Sequence, residues 1–248
     1  MTTLMIITES EWVKIFAKAK SKVLLILLSI GVIGAGIFYY LLENRLGLTF
    51  MEGRQFPIWV LELFLKFVLP LFIMVIVADV FAGEFQDGTI KNVFALPASR
   101  TTLYVAKLLA VALFVGTMLG VILGLSLLCA TLVTGFSVFT GTLSILIAYI
   151  GAFIVLGVLI VLSVVISLFV GSSSLSLVLN LLLWLGMGTF GAFVPVVSNY
   201  LPTSFTHWYE PLLSGGHIRV VLPMLLYMIS YYIILVVLGL MKFQKKEV

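Results

Sequence analysis

Charged side chains are what this chain has least of. It carries only 14 Lys and Arg and 10 Asp and Glu over 248 residues, 10% of the sequence, against 62% apolar residues. That supply cannot cover the surface of a water-soluble globule, so an ordinary soluble fold is excluded and an integral membrane protein is implied. Between Lys107 and Glu210 there is no Asp, Glu, Lys or Arg at all. Proton- and ion-coupled carriers keep ionisable groups at mid-membrane depth, and this chain has almost none to offer. Cysteine occurs once, at Cys129, which rules out an intrachain disulfide. His207 and His217 stand ten residues apart in a segment punctuated by Gly and Pro, with no Cys beside them. That is poor spacing for zinc, and no metal is expected. Gly83 to Gly88 opens like a phosphate-binding loop, but Thr89 stands where the motif needs lysine, so the chain is not expected to bind ATP. The first apolar run lacks a short core followed by a small-residue cleavage site, and the N-terminus is read as mature.

What is present is apolar runs. A bilayer core about 30 Å thick needs about 20 apolar residues per helix, and such runs occur at 23–42, 61–81, 108–133, 143–170, 175–197 and 220–241. The expected fold is an all-α membrane protein with six transmembrane helices in one domain, 1–248. Residues 4–22 precede the first span, with Trp12, Ile15, Phe16 and Ala19 on one helical face and Lys14, Lys18 and Lys22 beside them. Two readings fit: an amphipathic helix lying in the membrane interface, or a charged flank that orients the next span.

Six spans put both termini on one side. Ten basic residues (Lys14, Lys18, Lys20, Lys22, Lys91, Arg100, Lys107, Lys242, Lys245 and Lys246) fall on that side, and four (Arg45, Arg54, Lys66 and Arg219) fall on or towards the other. The bias makes the termini and the stretch 79–107 cytoplasmic in the plasma membrane. Of the outer connections only 198–219 is sizeable. Its Pro202, Pro211, Gly215, Gly216 and aromatic cluster around Trp208 fit a broken, interfacial or re-entrant element. Glu62 and Lys66 lie four residues apart in the favourable helical order, and an ion pair is expected near the outer end of the second span. Ser126, Ser163, Ser167 and Asn180 are read as helix-packing groups rather than as an intramembrane catalytic set.

The stretch 79–107 is the long polar interruption, DVFAGEFQDGTIKNVFALPASRTTLYVAK. Asp87 can cap a short helix carrying Ile90, Val93 and Phe94 on one face, which Pro97 stops. Ser99 or Thr101 can then cap the helix that rises through Lys107 into the third span. The pattern Phe81-Ala82-Gly83-Glu84, Asp87-Gly88-Thr89, Leu96-Pro97-Ala98-Ser99-Arg100 and Lys107 resembles the cytoplasmic signature of type 2 ABC transporter permeases, and the resemblance extends to the topology of the whole chain. It implies a coupling helix within 83–101 between spans 2 and 3, docked on a separate ABC ATPase subunit. By that resemblance Glu84, Phe85, Asp87, Gly88, Thr89, Ile90 and Val93 form the contact or its turn. Arg100 and Lys107 would brace the loop against the ATPase or the membrane, or simply anchor it at the interface.

The reading that follows is a permease subunit of an ATP-driven exporter, itself not an enzyme. It would work with a second identical or related permease and two ATPase copies that carry MgATP, this chain binding no cofactor. Its uncharged spans suit an amphipathic or hydrophobic substrate such as a peptide, a bacteriocin- or antibiotic-like compound, or a lipid-linked molecule. The alternative is a membrane scaffold or sensor that recruits a cytoplasmic partner without transport.

Overall fold

The computed structural model describes residues 3–45, 47, 51–91, 98–194, 200–213 and 218–246, and every regular element among them is helical. In chain order the longer helices are α1 (Thr3–Ala17), α2 (Ala19–Tyr40), α3 (Phe56–Lys66), α4 (Val68–Val77), α5 (Arg100–Thr134), α6 (Thr142–Phe169), α7 (Ser173–Phe193) and α8 (Ile218–Lys245). Five stretches are long and apolar enough to cross a membrane: Ala19–Arg45, Val68–Gln86, Arg100–Phe169, Ser173–Gly191 and Arg219–Lys245. The third contains both α5 and α6, which are separated by a 3-10 segment at Gly135–Gly141.

The expected N-terminal helix at 4–22 is divided. Lys18 is extended (φ −67°, ψ 134°), so α1 ends at Ala17 and α2 begins at Ala19. The run expected to form one span at 61–81 is also divided. Phe67 (φ −143°, ψ −46°) separates α3 from α4, and the helical run then continues through a π-helical turn at Ala78–Gly83 to Gln86. Pro70 supplies the reason: it has no N–H to donate to the carbonyl four residues back, at Lys66, and its ring crowds that carbonyl.

α5 is the central post. α1, α2 and α3 pack against it on one side and α6 on another, while α6 also carries α4, α7 and α8. Buried aromatic and aliphatic side chains such as Phe114, Met118, Ile122, Leu156 and Val164 fill the seams. Two pairs of buried hydroxyls join helices to one another. Ser126 Oγ lies 3.4 Å from Tyr149 Oη between α5 and α6, and Ser167 Oγ lies 2.7 Å from Ser176 Oγ between α6 and α7. Asn180 donates to the Ser176 carbonyl at 2.9 Å. The outward faces of α2, α7 and α8 remain apolar and exposed, as they do in helices bathed by lipid.

At the end of the bundle away from Lys107, residues 200–213 lie against α6. The Trp208 indole donates to the Gly151 carbonyl at 3.0 Å, and Tyr209 is fully buried. Gly151 is required by this approach. A Cβ there would stand 2.7 Å from Tyr209 Cδ1 and 2.8 Å from its Cβ.

Candidate functional site

The charges that the sequence concentrates at its start, in 79–107 and at its end come together at one end of the bundle. At their centre is Lys107, on the second turn of α5 and wholly buried. Its Nζ stands 2.6 Å from Glu84 Oε2 and 2.6 Å from Glu11 Oε2, and Glu11 is also paired with Lys14. Burial would push the Glu11 carboxyl up, but the Lys107 and Lys14 ammonium groups outweigh it and hold the pKa below the ordinary glutamate value. A buried ammonium needs this company, since an unpaired charge in the interior carries a penalty of several kcal/mol.

A second cluster sits beside the first. Lys18 and Lys20 flank the elbow between α1 and α2, and both pair with Asp79, Lys20 at 2.9 Å. One salt-linked seam therefore fastens α1, and the other the elbow and the start of α2, to the Gln86 end of the second helical run. The apolar face of α1 is also occupied: Trp12 packs edge-on to Phe16 at 4.8 Å, and Phe16 edge-on to Phe114 of α5 at 5.1 Å. The face expected to meet the membrane interface lies largely on α5, leaving Met5, Ile6 and Val13 outward.

The turn Glu84–Gln86 touches α5, α7 and α8 directly and α1 through Lys107. Glu84 binds Lys107 of α5 and through it α1. The Phe85 ring lies under the Lys246 ammonium at 4.2 Å and edge-on to Phe243 of α8 at 6.2 Å. Gln86 Oε1 accepts the Ser173 N–H that opens α7 at 2.9 Å. Asp87 and Gly88 then reverse the chain, with Gly88 in the left-handed region (φ 68°), where a side chain is disfavoured and glycine is not. The Asp87 carboxylate makes no capping bond to Thr89 or Ile90. The residue closes the helical run before it, and the Lys91 N–H to Gly88 carbonyl bond at 3.3 Å starts the next turn. Asp87, Thr89 and Lys91 face outward, while Ile90 is buried. Val93, Phe94 and Pro97 lie outside the described residues.

Ser99 caps α5 by accepting the Thr102 N–H at 3.1 Å, in keeping with the sequence. Arg100 donates to the Gln244 and Lys246 carbonyls at 2.7 and 3.1 Å, satisfying the acceptors left open at the end of α8. Lys246 does the same for α6 through Leu168 and Val170, at 3.0 and 3.2 Å. A groove of about 610 Å³ runs between α1 and the 79–89 segment, lined by Glu11, Lys14, Lys18, Asp79, Glu84 and Asp87 among others.

Glu11 is the site residue that sequence reasoning missed. Its signal was available: Ile7, Glu11 and Ile15 repeat every four residues, so a carboxylate interrupts the buried stripe of α1. Glu62 and Lys66 do not close the expected ion pair. Glu62 instead faces His207 and Glu210 of the segment after α7, because the break at Phe67 leaves α3 packed beside that segment.

Compared with known proteins, the chain matches a family model described as ABC-2 family transporter protein over residues 7–187. The match begins within α1, takes in the Lys107 cluster and ends within α7. Comparison with curated proteins gives no match.

Proposed function

The chain belongs to the ABC-2 family of transporter proteins, and from that premise we propose that it is the permease subunit of an ATP-driven exporter in the plasma membrane, worked by a separate ATPase that docks on 83–101. In this reading α2, the run α3–α4, and α5 to α8 make six crossings, and the Lys107 end is cytoplasmic, with both termini there. Two permeases and two ATPases assemble, MgATP stays on the ATPases, and the path between permeases carries an amphipathic or hydrophobic substrate.

One observation carries the proposal: the turn Glu84–Gln86 is bonded at once to α5 with α1, to α8 and to α7. A partner pressing on its exposed residues Asp87 and Thr89 acts on four helices together, as a coupling element requires. The uncharged stretch after Lys107 supports the choice of substrate class, because such a lining stabilises no ion.

The test is co-expression with the cognate ATPase, copurification, and reconstitution into vesicles. The expected outcome is ATP hydrolysis that rises with an amphiphilic substrate and drives its accumulation. Stable copurification with ATP turnover but no movement of any amphiphile favours the scaffold or sensor reading.

A further inference from the structure

At the opposite end of the bundle three metal-ligating side chains converge from two separate parts of the chain. Glu62 lies on α3, while His207 and Glu210 lie three residues apart in the segment after α7. Their ligand atoms all fall within 4.8 Å of one another. We infer that Glu62, His207 and Glu210 form a binding site for one divalent cation of the zinc type, which fastens the segment after α7 to α3.

One edge of the cluster already has a bound metal's length, and the others, up to 4.8 Å, would shorten on binding. His207 Nδ1 stands 3.1 Å from Glu210 Oε1, and a tetrahedral zinc site with bonds of about 2.0–2.1 Å has edges of about 3.3 Å. That nitrogen is buried, and its contact with Glu210 lacks the alignment of a hydrogen bond, so its lone pair or proton is unused. Two carboxylates converge on one imidazole, so like charges of Glu62 and Glu210 face each other across the cluster. A divalent cation removes that repulsion.

A buried polar side chain stands between two of the ligands in the sequence. Tyr209 is fully buried and its hydroxyl has no hydrogen-bond partner among the described residues. The donor set of one imidazole and two carboxylates suits zinc and neighbouring transition ions over magnesium or calcium, which take oxygen ligands. Spacing along the chain could not reveal the site, since two of its ligands are separated by the length of four helices.

The test is made on the purified full chain in detergent, stripped of metal, with Zn²⁺ as the probe. The expected result is saturable binding of one Zn²⁺ per chain at micromolar or lower concentration, with a raised unfolding temperature in Zn²⁺ and none in Mg²⁺. Glu62→Gln and His207→Gln should each weaken binding by about tenfold or more. Absence of saturable binding below about 100 µM Zn²⁺ overturns the site, since ligand-linked stabilisation vanishes there, as does affinity unchanged in both variants. Should Glu62→Gln fail to fold, Glu210→Gln, at an exposed residue, decides in its place. A folded protein whose stability titrates near neutral pH but ignores Zn²⁺ shows that a shared proton, not a metal, joins the two carboxylates. None of this requires the ATPase, so its failure leaves the transport proposal standing.

Discussion

Lys107 and Glu84 meet at 2.6 Å across the junction of α5 with the turn that ends the second helical run, and the lysine is wholly buried there. The pair ties a long, central helix to a turn that also reaches α7 and α8. Because Glu11 shares the same ammonium, removing the lysine takes a partner from two carboxylates and leaves Glu11 with Lys14 alone.

Lys107→Met is expected to destabilise the protein by about 3–5 kcal/mol, the cost of leaving buried charge without its partner. Adding Glu11→Gln and Glu84→Gln to that variant should recover most of the loss. Thermal unfolding of the single and triple variants checks this, and equal losses in both would show that the three charges act independently.

Glu84→Lys and Asp87→Lys should part company. The first sets a second ammonium against Lys107 and is expected to unfold or misplace α1, seen as faster proteolysis of 3–17 in the isolated chain. The second lies on an exposed turn and should leave folding within about 0.5 kcal/mol of the parent, while lowering ATPase copurification and substrate-stimulated hydrolysis. Unchanged ATPase binding in Asp87→Lys would remove that residue from the contact.

The depressed pKa of Glu11 sets the pH window of the α1–α5 seam. An unfolded glutamate titrates near 4.3, and the folded one lies lower because Lys107 and Lys14 outweigh burial. The seam's electrostatic stabilisation is therefore full above the unfolded value and disappears as pH falls through the folded one. Protection of the α1 amides, relative to their intrinsic exchange at each pH, should hold from neutral pH to about 5 and fall below about 4. Glu11→Gln should flatten that dependence.

Gly151→Ala should displace the segment at 200–213, because the added Cβ meets Tyr209 at 2.7–2.8 Å. The expected cost is about 1–3 kcal/mol, with faster exchange confined to that segment and to α6 around the substitution. A variant as stable and as protected as the parent would show that the Trp208–Gly151 bond is not what holds the segment.

The helices were legible in the sequence because hydropathy is a local property: apolar runs, the Ser99 cap and the polar interval each announce themselves within a few residues. The gathering of basic residues at one end was legible for the same reason. What was not legible depends on pairing at a distance. Glu11 and Lys107 are 96 residues apart in sequence, and nothing near either names the other. The division at Phe67 was hidden by uniform hydropathy on both sides of it, although Pro70 marked the place. Glu62 was assigned to Lys66 because helical spacing is visible in a string of letters. Its neighbours His207 and Glu210 become visible only after α6 and α7 have folded back beside α3.

The division at Phe67 also fixes how deep these groups sit. From Val68 to Gln86 is 19 residues, about 28 Å at 1.5 Å per residue, close to the hydrocarbon thickness of about 30 Å. With Gln86 at one face of the bilayer, Phe67 therefore stands at the other, and the 11 residues of α3 rise beyond it into the headgroup layer. Glu62, Lys66, His207 and Glu210 are then charges of the membrane surface, reached by water and dissolved ions, whereas Asp79 and Glu84 fall within the 19 residues themselves and keep their charge there through Lys18, Lys20 and Lys107.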